Sequence, residues 1–265
     1  MKEYLVIGNP IKHSLSPELH NYWIKENGIN GIYNKKELNK NDLKEFFFKI
    51  KNKEINGVNI TVPFKKDVIS YVDQLSLEAE KTQSVNTVYL TNNKIIGHNT
   101  DIDGFELAIK DSNYDVKGKK VLVLGAGGVV PSVVFALYKM RALSVTISNR
   151  TKTKAENLKN LFNDLEIVNW GEASNFDMII NATSIGLKKE ERLNLDFSKF
   201  QDSEFFYDVI YNPKETNFLK NGKNLGKKTE NGKKMFIYQA AKAFKIWHGI
   251  DPKINEQVIG LLDKW

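Results

Sequence analysis

Two charged residues, Lys65 and Asp101, close polar segments that follow apolar runs, NITVPFK at 59–65 and NTD at 99–101. A lysine can give a proton to a substrate oxygen, or take one from it, while a nearby carboxylate holds it in place. Further hydroxyls and amides stand in Ser14-Leu15-Ser16 and in Val85-Asn86-Thr87. Such groups suit a polyhydroxylated ligand, and the lysine suits an acidic one. Taken singly, each charge is a solvated surface group, and one lysine among 36 carries little weight.

A second kind of chemistry is written at 121–130, VLVLGAGGVV. Gly125, Ala126, Gly127 and Gly128 follow four aliphatic residues and precede a helical pattern beginning near Val129. This is the context of a dinucleotide fingerprint: glycines turn the chain tightly and let backbone N–H groups approach a pyrophosphate. Position 130 is valine where the strict pattern has Gly or Ala, and a tight structural turn has the same look. The residues about 20 positions on decide the cofactor. An NAD-binding unit ends its second strand in an acid that meets the ribose 2′-hydroxyl. Here the strand ends in Ser148-Asn149-Arg150-Thr151, with Lys154 one turn later. No acid repels a phosphate there, and Arg150, one of three arginines in the chain, offers a planar fork to one. The expectation is NADP(H) over NAD(H).

The elements that must carry these residues alternate. Apolar periodicity predicts strands at 4–8, 31–38, 57–62, 85–90 and 94–97, with helices at 17–27, 41–50, 65–72 and 76–82. That alternation implies a mainly parallel, helix-covered sheet. A linking helix at 104–110 leads to a second series: strand 121–124, a helix to about 140, strand 144–148, helix 151–163, and strands 166–168, 176–180 and 205–209. Helices at 233–248 and 252–264 end the chain. The architecture expected is two α/β domains with a boundary near 101–118.

Composition closes off other classes. The 265 residues are 41% hydrophobic and 27% charged, an ordinary globular mixture. With no cysteine and four histidines, disulfides and thiolate chemistry are excluded and no metal site is expected. No apolar run approaches the roughly 20 residues of a membrane helix, and the first ten residues do not read as a secretory signal. A soluble, cytoplasmic protein without membrane contact is expected. The net charge of +7 comes from lysines scattered along the chain, with no basic stripe or nucleic-acid motif, so no nucleic-acid partner is expected.

The segments in order resemble those of the shikimate dehydrogenase family. They are GNPIKHSLSPELHN (8–21), GVNITVPFK (57–65), VNTV (85–88), NTDIDGF (99–105), GAGG (125–128), NRTKTKA (149–155), NATSIGL (181–187), DVIYNPKET (208–216) and YQAAKAFKIW (238–247). The resemblance implies reversible reduction of 3-dehydroshikimate to shikimate with NADPH, on the way to chorismate and the aromatic amino acids. It implies an N-terminal α/β substrate domain at 1–101, rejoined by helices from about 236 to 265. A Rossmann-type NADP domain would occupy 102–235, with a cleft between the two. Ser14 and Ser16 would hold the substrate carboxylate; Thr61, Asn86, Tyr211 and Gln239 would bind ring hydroxyls. Lys65 and Asp101 would form the acid–base pair, and Val209 and Gly232 would border the nicotinamide. A monomer or homodimer is expected.

Three segments depart from the usual pattern. Gln83-Ser84 replaces Gly-Ala, Lys233-Lys234-Met235-Phe236 replaces Leu-Gly-Met-Leu, and Val129-Val130-Pro131 replaces smaller residues. A dehydrogenase that also takes quinate or NAD, and a non-catalytic NADPH-sensing module, are the alternatives. The Ser14/Ser16 pair and Arg150 oppose the first, and an intact Lys65 and Asp101 oppose the second.

Overall fold

The structure, a computed structural model, describes residues 1–172 and 175–264. The chain divides into two compact units, Met1–Gly104 with Ile237–Trp265, and Phe105–Phe236.

The first unit opens with strand β1 (Lys2–Gly8), helix α1 (Ser16–Glu26) and strand β2 (Gly31–Glu37), followed by helix α2 (Leu43–Lys51) and strand β3 (Gly57–Ile60). After these come β4 (Gln74–Leu75), α3 (Leu77–Thr82), β5 (Thr87–Thr91) and β6 (Lys94–His98). The helices form where apolar residues recur at helical spacing: α1 buries Ser16, Leu19, His20, Trp23 and Ile24, and α2 buries Leu43, Phe46, Phe47 and Ile50. The aliphatic and aromatic face of α2 joins Ile7, Val58, Ile60, Phe64 and Val88 in one core.

The strands order as β2-β1-β3-β5-β6-β4. The first three are parallel, but β5 runs antiparallel to both β3 and β6. The mainly parallel sheet expected from alternation is therefore a mixed one. The reason is local: Asn92 and Asn93 both take positive φ, 49° and 56°, which is the two-residue turn that closes a twisted hairpin. The strand expected to run to 62 stops at Ile60, and the expected helix at 65–72 is a 3₁₀ turn, Asp67–Tyr71.

Helix α3 ends on Gln83, which takes the left-handed conformation with φ 48°, at the position where the resembling motif has glycine. Next to it the Ser84 hydroxyl is buried without a hydrogen-bond partner among the described residues. Both features cost stability: left-handed backbone about 1 kcal/mol for a side-chain-bearing residue, and an orphaned buried hydroxyl about 1–3 kcal/mol. The double variant Gln83→Gly/Ser84→Ala is expected to melt several degrees higher than the parent, by roughly 2–4 °C per kcal/mol. An unchanged melting curve would show that neither site is strained.

Helix α4 (Asp101–Asp111) leads into the second unit, which continues with β7 (Lys120–Leu124), α5 (Val130–Lys139), β8 (Ser144–Ser148), α6 (Lys152–Lys159) and β9 (Glu166–Val168). Strands β10 (Met178–Asn181) and β11 (Phe205–Asp208), helix α7 (Asn217–Asn224) and strand β12 (Lys228–Glu230) complete it. All pairs are parallel, in the order β12-β11-β10-β7-β8-β9. This is the doubly wound Rossmann order, with its switch point between β7 and β10.

Helix α7 and strand β12 were not expected from sequence. The helix NFLKNGKN has few apolar residues, but Phe218 and Leu219 are buried, and Gly222 lets it lie close to β11, since a Cβ there would sit 2.8 Å from Phe206 Cγ. Helix α6 ends at Lys159 and not near 163. Helices α8 (Lys233–His248) and α9 (Glu256–Leu261) end the chain. The last is shorter than the expected 252–264 because Asn255, not Pro252, starts it: its side chain accepts the Val258 N–H at 3.0 Å. Among the described residues no helix is long and apolar enough to cross a membrane.

Candidate functional site

In the first unit the turn after β3 presents Lys65. Phe64, buried in the core, anchors that turn, and the Lys65 carbonyl accepts the Val85 N–H at 2.8 Å. Asp101 opens α4, where the helix N-terminus favours a carboxylate, and Asn99 Oδ1 accepts its N–H at 3.1 Å. The two side chains meet: Lys65 Nζ donates to Asp101 Oδ2 at 2.5 Å, with only 14% and 9% of the side chains exposed. A pair this sheltered is screened far less than a surface ion pair, so the lysine is held in one place.

Asn86 links this pair to the rest of the cluster. Its Nδ2 donates to Asp101 Oδ1 at 2.8 Å and to Thr100 Oγ1 at 2.9 Å, and reaches Gln239 Oε1 at 3.4 Å. Its Oδ1 accepts from the Thr100 N–H at 2.7 Å and the Thr87 hydroxyl at 2.9 Å. Gln239 therefore belongs to the cluster, although its neighbours on α8 also suit a residue that merely edges an apolar face. Behind Asn86, Asn59 Nδ2 donates to Thr87 Oγ1 at 3.1 Å, and Tyr33 OH donates to Asn59 Oδ1 at 2.7 Å. Asn59 and Tyr33 were not singled out as site residues; their signal in sequence was only a polar residue inside a buried strand.

Ser14 and Ser16 sit together before α1, Ser14 Oγ donating to Ser16 Oγ at 3.3 Å. Ser16 also bonds the Tyr33 hydroxyl, whose burial holds its pKa well above the ordinary tyrosine range. Thr61 packs its methyl against Gly8, where a Cβ would lie 2.5 Å away, so glycine at 8 is what lets Thr61 approach β1. His20, in the same unit, is stacked on Tyr33 with centroids 4.2 Å apart. Burial, and secondarily His248, push its pKa down to about 3, so it is neutral at ordinary pH and no proton donor. Trp247 is half-buried with its ring over Gly57, where a Cβ would lie 2.6 Å from it.

In the second unit Gly125 has φ 112°, and a Cβ there would lie 2.8 Å from Ala182 O, which follows β10. Only glycine fits that crossing at the switch point. Ala126 is half-buried and Gly127 and Gly128 are exposed, ahead of Val129, the N-cap of α5. Pro131 lies in the first turn of α5, where its missing N–H costs no helical bond. The Val129-Val130-Pro131 departure thus leaves the turn and helix start formed.

Beyond β8, Asn149 and Arg150 line a pocket of about 350 Å³ with Lys152, Asn169 and Trp170. Thr151, Arg150 and Lys154 are all exposed. Lys152 is a pocket residue the sequence reading did not name, whereas Lys154 is not among the lining residues. Glu172 also lines the pocket, with its Oε2 accepting from Asn169 N at 3.1 Å and Asn169 Nδ2 at 3.0 Å.

At the other side of the switch point, Val209 follows β11 and Gly232 precedes α8, so close that a Cβ on Gly232 would sit 2.0 Å from Val209 O. Tyr211 stacks on Phe236 with centroids 4.7 Å apart, which gives the last residue of the 233–236 departure a structural partner. Lys234, in the glycine position of that segment, pairs with Asp111 at 2.7 Å. Among the described residues no group of three or more His, Cys, Asp or Glu is placed to hold a metal ion.

Three family models match the chain: the shikimate dehydrogenase substrate binding domain at 6–88, shikimate/quinate 5-dehydrogenase at 106–213, and the shikimate 5′-dehydrogenase C-terminal domain at 234–256. A shikimate dehydrogenase (NADP⁺) of Pelagibacter ubique is 57% identical over 262 residues, 99% of each chain. The crystal structure of shikimate dehydrogenase from Aquifex aeolicus superposes with a TM-score of 0.91 at 39% identity, covering 100% of this chain and 98% of that one. The Thermus thermophilus enzyme in complex with NADP(H) and shikimate gives 0.88 at 32% identity, covering 100% and 99%.

Proposed function

The chain belongs to the shikimate dehydrogenase family, and from that premise we infer that it interconverts 3-dehydroshikimate and shikimate with NADP(H), a step toward chorismate and the aromatic amino acids. The observation that carries the reading is the sheltered Lys65–Asp101 pair with Asn86 and Gln239 around it.

The residues present fit the cofactor. The Gly125 crossing opens a glycine turn at the start of α5, suited to a pyrophosphate. The end of β8 offers Asn149, Arg150 and Lys152 to a 2′-phosphate, with Thr151 and Lys154 beside them. When bound, NADP(H) supplies or takes up the hydride. The chain supplies the rest. In the reducing direction the Lys65 ammonium gives its proton to the ketone oxygen as that oxygen gains charge, and is reprotonated from solvent. Its charge is worth most at that moment, when the oxygen is most negative. Asp101 holds the Lys65 ammonium by its Oδ2 and Asn86 by its Oδ1. Ser14 and Ser16 hold the substrate carboxylate; Thr61, Asn86, Gln239 and Tyr211 take ring hydroxyls. Val209 and Gly232 would border the nicotinamide. We place the enzyme in the cytoplasm as a monomer or homodimer.

The test offers the purified protein shikimate or quinate, each with NADP⁺ or NAD⁺, and follows reduced nicotinamide by absorbance. Fast turnover with shikimate and NADP⁺ alone is expected. Comparable quinate or NAD⁺ turnover would broaden the specificity beyond this reading. No turnover in any combination, with NADPH still binding, would make the protein a sensor.

A further inference from the structure

The second unit holds a carboxylate that this chemistry does not use. Asp208 closes β11 and is fully buried. Its Oδ1 accepts the Ile210 N–H at 3.0 Å, its Oδ2 accepts the Thr216 hydroxyl at 2.6 Å, and Asn181 Nδ2 lies 3.1 Å from both oxygens. Asn181 stands beside it in register at the end of β10. That amide continues the network: Asn181 Oδ1 accepts from Thr183 N at 3.1 Å and Thr183 Oγ1 at 2.7 Å, and Nδ2 also reaches Ile185 O at 3.2 Å. One buried pair therefore ties the turn after β10 to the turn after β11.

The second of these turns is held on its other side by Gly232, the residue before α8. Gly232 N donates to Ile210 O at 3.1 Å, and the Gly232 Cα leaves no room for a Cβ against Val209 O. A buried charge is expensive unless its hydrogen bonds require it. Burial pushes the Asp208 carboxyl up to about 6 despite donors that favour the ion. Asparagine at 208 would turn an NH₂ toward groups that are themselves donors. The carboxylate is thus matched to holding the 209–211 backbone.

We propose that Asp208 is the positioning residue for the nicotinamide end of the cofactor site, its carboxylate setting the 209–211 backbone against Gly232. The proposal rests on the reading that Val209 and Gly232 border the nicotinamide.

The experiment titrates NADPH and 2′,5′-ADP calorimetrically into Asp208→Asn, Thr216→Val and Gly232→Ala, and measures kcat for each. The fragment 2′,5′-ADP has no nicotinamide, so its affinity reports that the unit is folded. Asp208→Asn is expected to keep 2′,5′-ADP affinity within about twofold, to bind NADPH about five- to tenfold more weakly, and to lose at least about tenfold in kcat. Thr216→Val, which removes one donor and keeps the carboxylate, is expected to show the same pattern more weakly, and it decides the matter if Asp208→Asn does not fold. Gly232→Ala tests the premise, because it displaces the same turn. If Gly232→Ala weakens NADPH and Asp208→Asn does not, the positioning role is wrong. If neither variant changes NADPH affinity or kcat, the nicotinamide reading of this turn is what fails. Equal loss of NADPH and 2′,5′-ADP in Asp208→Asn would make Asp208 a stabilising residue only.

Discussion

Lys65→Ala is expected to lower kcat for shikimate oxidation by about a thousandfold, within the 10²–10⁴ range that a positioned proton carrier contributes. The shikimate KM is expected to change by less than about threefold, because the proposed ligands of the ring and its carboxylate, Ser14, Ser16, Thr61 and Asn86, remain in place. The split matters more than the size of the loss. A lysine that only attracted an anionic substrate would raise KM and spare kcat, whereas a proton carrier acts on the transition state and lowers kcat. The variant also leaves Asp101 without its cation, yet Asn86 Nδ2 at 2.8 Å and the start of α4 still support the carboxylate. The fold is therefore expected to survive, as unchanged NADPH binding and circular dichroism would confirm. A kcat within tenfold of the parent would remove Lys65 from the chemistry. Asp101→Asn is expected to act in the same direction and less strongly, since the lysine then loses the group that holds it and keeps its own proton.

Some of this was legible in the sequence and some was not, for identifiable reasons. The β7–GAGG–α5 unit is readable because a buried parallel strand is a continuous apolar run and the turn needs glycine. Arg150 is readable because arginine is scarce in this chain. Lys65 and Asp101 are not readable as a pair from spacing: they are 36 residues apart and meet only because β3 and the β5–β6 hairpin bring the turn after β3 to the start of α4. Only the resemblance singles them out. The hairpin itself carried a signal, Asn92-Asn93 between two strand patterns, that alternation alone outweighed. Gly57 and Gly222 are glycines because Trp247 and Phe206 lie on them, a tertiary cause with no local trace. Asp208 and Asn181 look like strand-end polar residues in sequence, and only the bonds across the two turns give them a purpose.

The cofactor preference rests on a different balance, at an exposed site. Arg150→Ala is expected to raise the KM for NADP⁺ at least about tenfold, roughly 1.4 kcal/mol, and to leave the KM for NAD⁺ nearly unchanged. Because Lys152 lines the same pocket as Arg150, Lys152→Ala is expected to shift the same preference, by about threefold, since an ammonium meets a phosphate as a point charge and not as a planar fork. Lys154→Ala is expected to matter less than Lys152→Ala, its side chain being exposed on α6 and not among those lining the pocket. Charges this exposed are screened, so added salt is expected to raise the NADP⁺ KM of the parent and to have far less effect in Arg150→Ala. Glu172 does not reverse the preference, because its Oε2 is engaged by Asn169 through both the backbone N–H and the side-chain amide. Steady-state kinetics with both cofactors decide the matter. If Arg150→Ala loses as much with NAD⁺ as with NADP⁺, the guanidinium supports the pocket or the adenosine common to both. Discrimination would then have to come from Asn149, Thr151 and Lys152, and the Lys152→Ala ratio would rise above the Arg150→Ala ratio.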